Sequence, residues 1–283
     1  MVKKILAYSY IYLILLLMYV PILVLIVFSF TNSTYIGEWN GFNGILYVNL
    51  FQDKEIMTAL GNTLIIALIS SAISVLLGTT GAIGAFYSKK RSRHAIESLN
   101  QIPVVNAEIV IALSLTVLFV FFGNAVFHEN IFSFWTLLIG HVVISVPFVY
   151  LNVKPKLTQM DPSLYEAALD LGCSPSRALH KVLIPQILPG IVSGFLLSFT
   201  LSLDDFIITA FTRGPGLLSG EGNIETLSTL VQAKIKKGPI PPNMRPLTTI
   251  IFLFVLVAVI IISLLKNKKK GLHKVRKGRS LNA

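Results

Sequence analysis

The chain has 283 residues, of which 54% are hydrophobic and only 13% charged. A soluble domain is usually about 25% charged and about half apolar, so a single water-facing core is excluded and the bilayer must be part of the solvent. The net charge of +11 raises nucleic acid as a partner, but the basic residues sit in gaps between apolar runs, and the single cysteine, Cys173, rules out an internal disulfide.

The chain opens Met1-Val2-Lys3-Lys4 and runs straight into apolar sequence. That run is longer than a signal-peptide core and no small-x-small cleavage site follows it, so a retained first helix is expected. Six apolar runs follow one another at 7–30, 60–86, 103–123, 133–152, 188–212 and 245–265. Each is long enough, at about 20 residues or more, to cross the hydrocarbon as a helix. Backbone groups in lipid must be satisfied within their own segment, which makes every run helical. Pro21 and Pro147 fall inside runs and are expected to kink them.

With the N-terminus inside, eighteen of the 24 Lys and Arg residues lie on the inner side. This bias predicts that both termini are cytoplasmic. The basic tail, 266–283, then reads as a topology signal against anionic membrane lipid rather than a nucleic-acid site. Two connecting segments are long enough to have structure. The outer one, 213–244, starts with the turn sequence Gly214-Pro215-Gly216 and carries Ile224, Leu227, Val231 and Ile235 at helical spacing. It reads either as a capping helix or as a surface for a solute-binding protein.

The inner segment, 153–187, carries the strongest signal. Asp161 suits an N-cap and Pro162 the first helical position. Gly172 is placed to end that helix, and Ser174-Pro175 repeats the start pattern for a second one. Leu164, Ala168 and Leu171 form an apolar stripe on a short cytoplasmic helix. Such a stripe fits either the chain's own core or the groove of a partner.

Glu166-Ala167-Ala168, then Gly172, then Val182-x-Ile184-Pro185, resembles the EAA loop of ABC importer permeases, E-A-A-x3-G-x9-I-x-L-P, with two conservative departures at Val182 and Ile184. The resemblance implies an all-α integral membrane protein with six transmembrane helices, the type I importer permease fold. It implies that Glu166, Ala167, Ala168 and Gly172 couple to an ATP-binding subunit dimer. No G-x4-G-K-[ST] phosphate loop is present, so ATP-Mg belongs on that partner, and neither enzyme activity nor a bound cofactor or metal is expected of this chain.

Span five holds adjacent acids, Asp204 and Asp205, which point about 100° apart on a helix. Ionisable groups within spans are rare and usually functional. One can face a cation path while the other meets a neighbouring helix; pairing with a base or capping an unwound segment is the alternative. His141 reads as an interhelical hydrogen-bond partner, and Glu108 as an interfacial residue. The stretch Phe199 to Phe206, with Thr212-Arg213-Gly214-Pro215-Gly216, Gly140-His141 and Val146-Pro147-Phe148, is similar to permeases of spermidine/putrescine importers. That likeness implies a solute-binding protein outside, a sister permease, and a bacterial cytoplasmic-membrane location. Phe206 and Phe211 become candidate aromatic faces for a polycation. A secondary transporter gives no reason for the EAA spacing. A protease lacks its G-x-S-x-G or H-E-x-x-H motif. A channel remains to be separated from an importer by ATP-dependent uptake.

Overall fold

The structure, a computed structural model, describes residues 2–33, 37–161, 163–214, 224–238, 241–254 and 256–257. The helix start at Pro162, the turn beyond Gly214, the last part of the sixth apolar run and the basic tail lie outside the described residues. The elements begin α1 (Val2–Phe28), α2 (Ile45–Gln52), α3 (Lys54–Tyr87), α4 (Lys90–Val105), α5 (Glu108–Phe122) and α6 (Phe134–Gln159). They continue α7 (Ser163–Asp170), α8 (Pro175–Ala178), α9 (Ile184–Asp204), α10 (Ile207–Thr212) and α11 (Leu227–Lys237). A last helix, α12, covers Met244–Phe254. Single π-turns extend α5 and join α8 to α9. Among the described residues there are no strands, and five helical stretches are long and apolar enough to cross a membrane. The sixth apolar run is represented by α12, whose sequence continues past the described residues.

The described residues form two compact units, those within 1–57 and 234–257, and those within 58–233. In the first, the buried Arg245 guanidinium donates to the Ser33 carbonyl (2.9 Å), and Phe30 packs on Phe42 and Tyr47. α3 starts where the Asp53 carboxylate accepts the N–H groups of Glu55 and Ile56. This satisfies donors that the first turn would otherwise leave free.

The second unit is built on α3, α6 and α9, which meet in successive layers one helical turn apart. Stepping four residues along α3 and α6, and four back along α9, keeps each helix on the same face. The first layer is Ser70, His141 and Ser202, joined by hydrogen bonds. The second is Ser74, Ser145 and Ser198, all fully buried, whose hydroxyls have no partner. The third is Gly78, Val149 and Gly194. A Cβ on Gly78 would stand 2.7 Å from Val149 Cβ, and one on Gly194 3.1 Å from Val149 Cα. Small residues therefore let the backbones approach where no hydrophobic effect drives helices together in lipid. The fourth layer is apolar, with Ala82 and Val153 in a cluster that also holds Leu183 and Ile187.

α6 begins with a capping box. The Ser133 hydroxyl accepts from the Trp135 N–H, and the Thr136 hydroxyl accepts from the Ser133 N–H. α4 is tied to α6 by Glu97, whose carboxylate meets Lys154 Nζ at 2.9 Å and Arg93 Nε at 3.0 Å. Those hydrogen bonds, from Lys154 first and Arg93 second, hold the Glu97 carboxyl below its ordinary range.

Candidate functional site

Two apolar runs that read as unbroken helices are interrupted. In the third, the chain turns extended at Asn106 and Ala107, between α4 and α5. Pro103 removes a ladder hydrogen bond just before this break. In the fifth, Asp205 is extended (φ −62°, ψ 125°), which separates α9 from α10. A break inside a span is tolerated only where the freed backbone groups find other partners. Here Asp205 supplies them. Its Oδ1 accepts the Ile208 N–H at 3.1 Å, and its Oδ2 accepts the Thr209 N–H and the Thr209 hydroxyl, each at 2.8 Å.

The two adjacent aspartates are thus in different settings. Asp205 is 6% exposed and its carboxylate is occupied in capping α10. Asp204, the last residue of α9, is exposed. Glu108, the first residue of α5, lies near both Asp205 and Asp204. An acid in the first turn complements the positive end of a helix. Three carboxyl groups therefore gather where both interrupted helices restart. α5 and α10 stay together beyond this point, because the Thr116 hydroxyl of α5 donates to the Phe211 carbonyl (3.0 Å). Gly140 brings α10 against α6: a Cβ there would meet Ile208 Cγ2 at 2.6 Å.

His141 is fully buried beside the second break. Its Nδ1 lies 2.8 Å from Ser202 Oγ, and its Nε2 lies 3.0 Å from Thr209 Oγ1 and 3.5 Å from Asp205 Oδ2. A serine, a histidine and an aspartate thus stand in line, but all three are buried and the aspartate caps a helix, so no hydrolytic substrate reaches them. Phe206 and Phe211 are both half-buried. Among the described residues no cluster of His, Cys, Asp and Glu has the arrangement of a metal site.

In the segment after α6, the Asp161 carboxylate accepts the Ser163 N–H at 3.0 Å. Hydrogen bonds from Ser163, the hydroxyl first and the N–H second, hold the Asp161 carboxyl below its ordinary range. α7 ends at Gly172, which has φ +83°. The Cys173 N–H reaches the Ala168 carbonyl (3.0 Å), and the Gly172 N–H reaches the Leu169 carbonyl (2.9 Å). This is the Schellman arrangement, and its left-handed residue is best supplied by glycine. Glu166 and Ala167 are exposed, Ala168 is buried, and Leu171 is 86% exposed. Tyr165 rests on Tyr87, ring centres 5.6 Å apart.

Glu108 is the site residue that sequence reasoning missed. Periodicity placed it near a membrane surface, and only the break before it and the packing of α5 on α10 bring it to the aspartates. His141 was recognised as a hydrogen-bond partner, but its two contacts depend on the fold.

A multi-pass helical membrane protein with interrupted spans, a polar site at the interruptions and a short capped helix outside them is the architecture of a transport permease. The sequence matches the family described as "Binding-protein-dependent transport system inner membrane component" over residues 74–267. It is 31% identical over 244 residues to the spermidine/putrescine transport system permease protein PotC of Escherichia coli K12, covering 86% of this chain and 87% of that one. It is 31% identical to the putrescine transport system permease protein PotI of the same organism, covering 80% and 78%. A bacterial ABC transporter involved in the import of the acidic polysaccharide alginate shares the fold, with a TM-score of 0.68 at 17% identity over 94% of both chains. An amino acid ABC transporter aligns with a TM-score of 0.52 at 20% identity, over 79% of this chain and 96% of that one. The chain belongs to the binding-protein-dependent inner membrane component family and is a permease subunit of an ABC importer. Membership implies an ATPase and a binding protein as partners.

Proposed function

We propose that this permease carries polyamines, and that Asp204 with Glu108 meets the cationic cargo while Asp205 holds the interrupted helix. The observation that carries the reading is the contrast between the adjacent aspartates: one carboxylate is exposed at the end of α9, the other buried in capping. Carboxylates in a low-dielectric path attract cations, and a flexible polycation suits several acids near one another. Phe206 and Phe211 offer ring faces to the same cargo. The names of PotC and PotI support spermidine and putrescine as the cargo class.

In this reading the chain supplies half of the path and a sister permease supplies the other half. Glu166, Ala167, Ala168 and Gly172 place α7 against an ATP-binding subunit, and the exposed Leu171 fits a partner's groove. ATP-Mg stays on the ATPase dimer, a solute-binding protein delivers the polyamine, and both termini face the cytoplasm of a bacterial cell. Closure of the ATPases moves the α7 helices and opens the bundle outward. The test is ATP-dependent uptake of labelled spermidine and putrescine by cells expressing the chain with its partner subunits. Asp204→Asn and Glu108→Gln should each lower uptake while the complex still assembles. Glu166→Ala should uncouple ATP hydrolysis from uptake. Polyamine uptake that survives deletion of the chain refutes the cargo assignment.

A further inference from the structure

We infer that His141 is a positioning residue for the cargo site, a clamp across the break in span five that sets where Asp204 stands. The inference rests on the reading of Asp204 as the acid that meets cargo.

α9 ends at Asp204 and α10 begins at Ile207, so Asp204 stands at a joint without a continuous helical ladder. Such a joint is soft unless side chains define it. His141 contacts both sides of it. Nδ1 reaches Ser202 in the last turn of α9, at 2.8 Å, and Nε2 reaches Thr209 in the first turn of α10, at 3.0 Å. The imidazole is 0% exposed, and both of its nitrogens are engaged. The donors and acceptors form one directed series. Ser70 donates to Ser202, Ser202 to Nδ1, Nε2–H to Thr209, and Thr209 to the Asp205 carboxylate. With the Nε2–H tautomer every group in the series has a partner of the right sense. Ser70 belongs to α3, so the end of α9 is anchored to a second helix as well. A histidine that only filled space would need neither nitrogen placed. This one makes two directional bonds to residues seven apart that flank the break.

The experiment uses the full complex in membranes, with Cys173→Ser removing the native thiol and Asp204→Cys introducing a reporter. The rate at which a cationic, membrane-impermeant methanethiosulfonate labels that reporter reads the position of residue 204. Uptake is measured in parallel on chains that keep Asp204. Thr209→Val, which keeps the shape and removes the hydroxyl, and His141→Asn, which is too short to span both partners, should each change the labelling rate severalfold. Each should also lower maximal uptake by about tenfold or more in assembled complex, the scale expected when a working group is misplaced. Thr209→Ser, which keeps the hydroxyl, should behave as wild type. Unchanged labelling and uptake in both Thr209→Val and His141→Asn overturns the clamp. If His141→Asn fails to assemble, Thr209→Val decides the matter. If Asp204→Asn transports normally, the cargo reading fails, while the labelling rates still report on the joint.

Discussion

Replacing Asp205 by alanine should destabilise the second unit far more than replacing Asp204. The Asp205 carboxylate accepts two backbone N–H groups and one hydroxyl, all at 2.8–3.1 Å, in a residue that is 6% exposed. Thr209 keeps another outlet, since its hydroxyl also lies 3.5 Å from the Asp205 carbonyl. The N–H groups of Ile208 and Thr209 have none that a first turn can supply. Each buried donor left without a partner costs about 1–3 kcal/mol, so the loss should come to about 3 kcal/mol. For a chain of this size that corresponds to a fall in Tm of roughly 6–12 °C. Asp205→Asn keeps one carbonyl oxygen and should lose about half as much. Asp204→Asn, at an exposed position, should change Tm little and act on uptake instead. The assay is thermal unfolding of the purified complex in detergent, with uptake measured on the same variants. If Asp205→Ala unfolds within a degree of wild type, the capping account of the break is wrong.

Three further outcomes follow from the packing. Gly78→Ala places a methyl 2.7 Å from Val149 Cβ and 3.0 Å from the Val146 carbonyl oxygen and should cost about 1–3 kcal/mol; thermal unfolding unchanged from wild type would contradict the layer contact. Ser198→Ala removes a buried hydroxyl that has no partner and should leave Tm unchanged or raise it, whereas Ser202→Ala breaks the hydrogen bond to His141 and should cost about 1 kcal/mol or more. Equal losses at the two serines would refute the difference between the layers. Because Lys154 and Arg93 lower the Glu97 pKa, the Glu97 contribution is present above the ordinary carboxylate range and is lost as pH falls through the depressed value. Both basic partners are about one-third exposed, so Glu97→Gln should cost below about 1 kcal/mol at neutral pH, and nothing once acid has protonated Glu97. Tm measured against pH for both proteins checks this, and a difference that grows toward acid reverses the sign.

The sequence by itself determined the solvent and the class. With 54% apolar residues and 13% charged, burial in lipid follows from composition, and lipid leaves the helix as the only local solution. The turn chemistry of the α7 segment was equally local: Gly172 is required where the chain must go left-handed, and Asp161 where a helix must begin. The EAA spacing around those residues identified the family. The tertiary structure alone separated Asp204 from Asp205. A periodic reading sets the two about 100° apart without saying which faces the path, and their difference arises because the backbone opens at Asp205 and its carboxylate turns back to cap α10. Glu108 reaches the same place only because α4 stops at Val105 and α5 lies along α10. Hydropathy averages over such breaks, since a two-residue interruption hardly changes an apolar run, whereas the hydrogen bonds that make an interruption affordable come from residues distant in sequence.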